Sequence, residues 1–318
     1  MTQLQPNPPM PPPPRSGAPP AADWAERGIG ASWKNRFFYW IMRIGGKARG
    51  YHMANIASLW YVLFYPSIRK RCGFYLDRRF PGRGGAFAKL LDTYRLVRSY
   101  ATTLVDIMVL GMFGRQAFKA SCPDHDRLMA ITAGGRGFVL IHGHVGCWQV
   151  GMSTLGQLGR KVSIVMLPEP QMVSLLGAQP DAVIDPRDGL RASMQITDAL
   201  LRGDIVAMMG DRTFGGEQTV VPAKFLGGTV QLPISPYRMA SATGVPVVVM
   251  VAPRVGPRSY ELRLAKVIEV SPGLGRNAAK YAPYAQQFSD CMEQFVQAHP
   301  WQFGNFYNLW QDANPENS

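Results

Sequence analysis

Residues 138–150 read "FVLIHGHVGCWQV". The first four are apolar and include β-branched and aromatic types; a histidine and a glycine then close the run. A short unbroken apolar stretch of this kind fits a strand covered on both faces, as in a parallel sheet flanked by helices. The downstream chain repeats the pattern. "RKVSIVMLPEP" (160–170), "DAVIDP" (181–186), "IVAMMGDR" (205–212), "PVVVMVAPR" (246–254) and "YELRLAKVIEV" (260–270) read as further strands. Between them "GLRASMQITDALLRGD" (189–204) has the spacing of an amphipathic helix, and residues 278–300 read as a closing helix. The expected fold class is therefore α/β, a mixed, mostly parallel sheet flanked by helices. In such sheets chemistry gathers on loops at the carboxyl ends of strands. His144, Pro168 and Asp211 all fall at such ends.

Working outward, residues 23–120 change texture. Ala, Leu, Met, Arg and aromatics recur at three-to-four spacing, with "DRRFPGRGG" (77–85) as a break. Nine of the first twenty residues are proline, so 1–22 reads as an extended, disordered leader, with no secretory signal. The expected organisation is a leader (1–22), a helical region (23–120), an α/β core (121–312) and a tail (313–318). Four cysteines, none in a CxxC pair, suit a reducing compartment and argue against a disulfide scaffold or a zinc cluster.

The net charge of +13 is concentrated. Residues 21–100 carry fifteen Lys and Arg against four acids, a local balance of +11. This asymmetry implies a polyanionic partner. "RFFYWIMRIGG" (36–46) and "MANIASLWYVLFYP" (53–66) interleave aromatics with those cations. The mixture matches a helix lying in an anionic membrane interface, each nearby cation contributing about 1 kcal/mol. The second stretch is shorter than the roughly 20 residues a span requires. A buried helix with a solvated basic face would also produce the pattern. Nucleic acid is disfavoured, because no RNP, zinc-finger or helix-turn-helix pattern occurs.

Two of the five histidines stand at 142 and 144. With Cys147 they would supply three metal ligands, but no matching cluster appears elsewhere. Cys147 as a nucleophile would require a histidine base beside it. A GxSxG elbow is absent. General-base catalysis fits the residues better. A histidine on a glycine-bounded turn is exposed yet rigid, and its pKa suits proton removal near neutrality. Gln149, five residues on, is positioned to bond the other ring nitrogen and fix the tautomer.

"GHVGCWQ" (143–149) resembles the signature block of the bacterial lipid A late acyltransferases, the lauroyl and myristoyl transferases of the lysophospholipid acyltransferase superfamily. Their pattern is a histidine, four variable residues and an acid, often GHFGNWE, and His144 falls on that histidine. Residues 200–248 are similar to the family's stretch from "L-x-x-G-x-x-V" through an Asp-Arg pair to "A-x-x-T-G-A-P-V-V". "HPWQFGNFYNLW" (299–310) looks like its closing "P-x-Q-W" block. The similarity is nearest to the predicted acyltransferases of aryl polyene-type clusters and covers roughly 136–311.

The resemblance implies an enzyme of the cytoplasmic face of the bacterial inner membrane, peripheral or monotopic. It would carry an acyl chain from acyl-carrier protein or acyl-CoA to a hydroxyl of a lipid or glycolipid, with no metal or cofactor. His144 would be the base, with amides near Gly146 and Arg212 holding the oxyanion. Asp211 would orient Arg212. "TFGGEQ" (213–218), with Glu217, would form a lid or anion-binding turn. Phe225 and Gly227 fall in the substrate-facing "KFLGG" element, and Arg187 would give a second anion contact. One departure stands out, since Gln149 replaces the family's acid. Either the enzyme is slow, or Asp211 or Glu217 supplies the carboxylate, or the protein is a non-catalytic acyl-lipid binder. A thioesterase, with water as acceptor, is a further alternative.

Overall fold

The protein is described from a computed structural model, which covers residues 33–168, 182–212 and 219–310. The proline-rich leader, the 213–218 turn with Glu217, and the tail lie outside these residues. The chain opens with three helices, α1 (Trp33–Phe64), α2 (Pro66–Arg79) and α3 (Ala86–Phe113). Gly46 kinks α1 with φ 73°, and Pro66 starts α2 at the position where its missing N–H costs nothing. Strand β1 (Lys119–Ser121) and helix α4 (His125–Thr132) lead into β2 (Phe138–His142) and the short α5 (Trp148–Met152). Then come β3 (Val162–Val165), β4 (Val183–Ile184), α6 (Leu190–Leu201) and β5 (Ile205–Met209). The hairpin β6 (Val220–Phe225) and β7 (Gly228–Pro233) precedes α7 (Ser235–Thr243) and β8 (Val247–Val251). Strands β9 (Arg254–Gly256), β10 (Ser259–Glu261) and β11 (Arg263–Ile268), then helix α8 (Ala282–Ala298), complete the order.

The main sheet runs β11-β8-β2-β5-β3-β4, and all its pairs are parallel except β11 with β8. The expected mixed, mostly parallel sheet is present. Its central strands are buried throughout, because alternate residues serve two cores. Val139, Ile141, Val206, Met208, Val247 and Val249 face one core, filled out by α6, α7, α8 and the β6–β7 hairpin. Phe138, Leu140, Ile205, Ala207, Val248 and Met250 face the other, with Leu128 and Leu155. In the hairpin, Val221, Ala223 and Phe225 point inward and Pro222 and Lys224 outward. That period-two signal is short and interrupted by a proline, which hides the hairpin in the sequence.

The helical region ends at Phe113 rather than near 120, and it is not a separate body. A third core joins Met42, Val105, Val109 and Leu110 of α1 and α3 to Cys147, Val150 and Tyr260. Helix α3 is long and apolar enough to cross a membrane by length and composition. Its carboxylates are nevertheless matched inside the protein. Asp92 pairs with Arg83 at 2.6 Å and Arg95 at 3.4 Å, and Asp106 accepts from the hydroxyls of Tyr51 and Tyr260. Several cations of the basic quarter also have local work. Arg69 donates to the Val62 and Leu63 carbonyls at the end of α1, and Arg79 donates to those of Val296 and Gln297 at the end of α8. Ile56, Leu59, Trp60, Leu63 and Phe64 form an exposed apolar cluster on the last turns of α1, while Trp40 and Phe87 are exposed elsewhere in the region.

Candidate active site

Parallel pairing sets the register His142↔Met209 between β2 and β5. Two residues past each of these positions, His144 and Asp211 leave neighbouring strands at the same edge of the sheet and meet. His144 Nδ1 lies 3.0 and 3.1 Å from the two carboxylate oxygens of Asp211, and the His144 backbone N–H donates to Oδ2 at 2.7 Å. An ionised carboxylate only accepts, so Nδ1 carries a proton, and in the neutral imidazole Nε2 is then the nitrogen with the lone pair. The approach is close because position 143 is glycine: a Cβ there would stand 3.3 Å from Asp211 Oδ2 and 2.9 Å from Met292 Sδ.

Asp211 is largely shielded from water, its side chain 11% exposed, and that alone would raise its pKa. The His144 imidazole and its hydrogen bonds, with the neighbouring Arg212 charge, outweigh that and hold the carboxyl well below its usual range. The acid is thus an anion at any working pH. The Asn305 amide donates to Asp211 Oδ2 at 3.2 Å. The Asn305 carbonyl oxygen in turn accepts from Arg212 Nε at 3.0 Å and also from Nη2. Arg212 lies over the Tyr307 ring, 5.3 Å from its centroid. A chain of contacts therefore runs Arg212–Asn305–Asp211–His144. The His144 side chain remains 21% exposed.

Sequence reasoning missed Asn305, which is 2% exposed. The "NFYN" of the closing block was the available signal. That segment is laced to the histidine loop by Gly304 N–H to the His144 carbonyl (2.7 Å) and Gly146 N–H to the Gln302 carbonyl (2.9 Å). These bonds correct one expectation. The Gly146 amide is spent on Gln302, and the Cys147 amide is spent on Ala252 (3.0 Å), so neither is free to hold an oxyanion. Glycine is needed at 146 for another reason. With φ +63°, a Cβ there would fall 2.2 Å from the Ala252 carbonyl oxygen.

Gln149 is a second correction. It makes no hydrogen bond to the His144 ring; its Oε1 faces the Cys147 thiol at 3.7 Å. Cys147 is fully buried, and burial pushes its thiol up to about 12, so it stays protonated and is no nucleophile. His142 is buried as well and stacks on Trp148, with ring centroids 4.5 Å apart. Burial drives its pKa down to about 4, leaving it neutral. Among the described residues, no three His, Cys, Asp or Glu side chains are grouped to hold a metal ion.

The other expected site residues lie elsewhere. Arg187 follows the edge strand β4, with β3 and β5 between it and β2, so roughly 14 Å of sheet separates the two strands. Its guanidinium is paired with Asp185 at 2.6 Å. Phe225 is buried against Trp310, ring centroids 5.8 Å apart, and serves the core. Gly227 and Leu226 (φ 73° and 46°) form the two-residue hairpin turn, where positive φ favours glycine. Of the expected residues that are described, His144, Asp211 and Arg212 converge.

A profile of the bacterial lipid A biosynthesis acyltransferases matches residues 94–312, more than half of the chain. The chain belongs to this family. The match spans the His144 loop, Asp211, Arg212 and Asn305, so the acyltransferase framework includes every side chain of the contact chain. It begins inside α3 and leaves α1 and α2 outside. No curated protein matches the chain.

Proposed function

We propose that this lipid A acyltransferase family member moves a fatty acyl group from a thioester donor, acyl-carrier protein or acyl-CoA, to a hydroxyl of a lipid or glycolipid acceptor. The observation that carries the reading is the His144–Asp211 pair, in which Nδ1 faces the carboxylate and the side chain stays partly exposed. His144 Nε2 takes the hydroxyl proton as the acceptor oxygen attacks the thioester carbonyl. Asp211 fixes the tautomer and stabilises the imidazolium. The tetrahedral oxyanion is held by Arg212, whose Nη1 is not used by Asn305. Collapse breaks the carbon–sulfur bond, and the thiolate leaves with the proton from the imidazolium. No step calls on a metal or cofactor.

The reading as a non-catalytic acyl-lipid binder rested on the loss of the acid at Gln149. A largely shielded carboxylate, Asp211, already bonded to His144 speaks against that premise. We place the site at the cytoplasmic face of an anionic inner membrane, supported by the exposed aromatic end of α1 and its cations. An acyl-transfer assay tests the whole reading. His144→Ala should lose transfer while keeping the fold, and Asp211→Asn should lose roughly 1,000- to 10,000-fold in kcat, as expected when the orienting acid is neutralised. Full activity in His144→Ala would sink the proposal.

A further inference from the structure

A cavity of about 370 Å³ lies between α1, α3 and the β9–β10 turn, and His144, Asp211, Arg212 and Asn305 are not among its lining residues. Its wall carries Lys47, Tyr51, Asn55, Arg98, Arg254 and Arg258. Four cations converge on this one space. Asp106, fully buried beneath it, is the one carboxylate paired with any of them among the described residues, 3.5 Å from Arg254 Nε. Arg98 Nε donates to the neutral Asn55 at 2.8 Å, and Lys47 lies over the Phe113 ring. Among the described residues Arg258 makes no ion pair with a carboxylate, though its charge acts on Asp106. Gathering four cations around one anion is unfavourable unless a further anion joins them.

The backbone supports the same conclusion. Pro257 and Arg258 make the two-residue connection between β9 and β10, and Arg258 has φ +55°. That conformation favours glycine or asparagine, and a long side chain there is strained. Strain tolerated at a special position points to a use for the side chain. Here the strain presents a guanidinium to the cavity. Arg254 is held from below by Asp106, and its backbone is gripped from behind by Gln302, which bonds its N–H (2.8 Å) and its C=O (2.9 Å). Tyr51 is fixed by its bond to Asp106. The donors are thus arranged before any ligand arrives.

We infer that this cavity is a binding site for a phosphate ester, distinct from the catalytic pair. Guanidinium forks and an ammonium suit phosphate oxygens better than a single carboxylate, and the volume admits a phosphate with part of its attached group. The inference stands whether or not His144 is catalytic. Two sources share the chemistry, the headgroup of an anionic lipid and the phosphates of an acyl donor.

The test is pyrophosphate binding by calorimetry to the intact protein, with Arg258→Gly as the decisive variant. That substitution relieves the strained turn, so its melting temperature should hold or rise while affinity falls at least tenfold. His144→Ala should bind as the wild type does. Competition by a short-chain phosphatidic acid or by coenzyme A then identifies the source, and either outcome supports the site. Equal affinity in wild type and Arg258→Gly would overturn the inference. So would loss of binding in His144→Ala, or pyrophosphate binding that neither ester displaces, which would mark an adventitious ion only.

Discussion

His142 and His144 are one residue apart and chemically opposite. His144 leaves the sheet and meets an anion; His142 stays under Trp148, where a charge would go unsolvated. This separation has a thermodynamic signature. Above pH 6.5 the folded and unfolded chains both hold position 142 neutral. As pH falls below 6.5 the unfolded chain takes a proton there that the folded chain refuses until about pH 4, so stability declines across that window by about 3 kcal/mol. His142→Phe keeps the stack and removes the titration. Its urea midpoint should vary less between pH 6.5 and 4.5 than that of the wild type. Gln149 makes a second prediction at this scale. Since the amide faces a buried thiol rather than the base, Gln149→Glu should not accelerate transfer. A rise of about tenfold or more, some 1.4 kcal/mol of barrier, would mean that position 149 reaches the imidazole after all. The sequence made the histidine plain and its partner ambiguous. A five-residue spacing along the chain suggested Gln149. The real neighbour is set by strand register, which becomes visible only once β2 and β5 are known to lie side by side.

At the scale of elements, the last turns of α1 present Trp60 and Phe64 one helical turn apart, ring centroids 4.1 Å from each other, both more than half exposed. Fully burying such a ring is worth about 1.5–3 kcal/mol, and water offers it no such burial here. If the turn inserts into an anionic interface, the double variant Trp60→Ser, Phe64→Ser should lose roughly tenfold or more in partition to phosphatidylglycerol vesicles, with its melting temperature unchanged. Unaltered binding would place the membrane contact elsewhere. The buried strands of the main sheet were legible because continuous apolar runs allow few other readings. The β6–β7 hairpin and the β9–β10 turn were not. Their strands are short and partly exposed, and Arg258 stands where glycine would have signalled the turn.

Across the whole molecule, the region read as a separate helical unit shares a core with the catalytic layer. Val105 and Leu110 of α3 pack with Cys147 and Val150, next to the histidine loop. The family match starts at residue 94, in the middle of α3. A chain cut at that point would begin mid-helix and lose the α1 and α2 partners of the remaining half. It should show no cooperative thermal transition, whereas the full chain should melt in one step with α1 and the sheet together. A truncated chain that unfolds cooperatively would show that the helical layer is an accessory. Composition could mark where the texture changes near residue 120, but it could not reveal that apolar side chains on both sides of the mark face each other.

The contacts around His144 also order events in time. The base meets its acid 67 residues later in the chain, and the acid meets its amide clamp another 94 residues on. At translation speeds of about 5–20 residues per second, roughly 5–19 seconds pass between synthesis of the acid and of the clamp. During that interval a nascent chain has the acid but neither Asn305 nor the backbone latch at Gly304. On the proposed function, a chain still short of residue 305 carries an incomplete site.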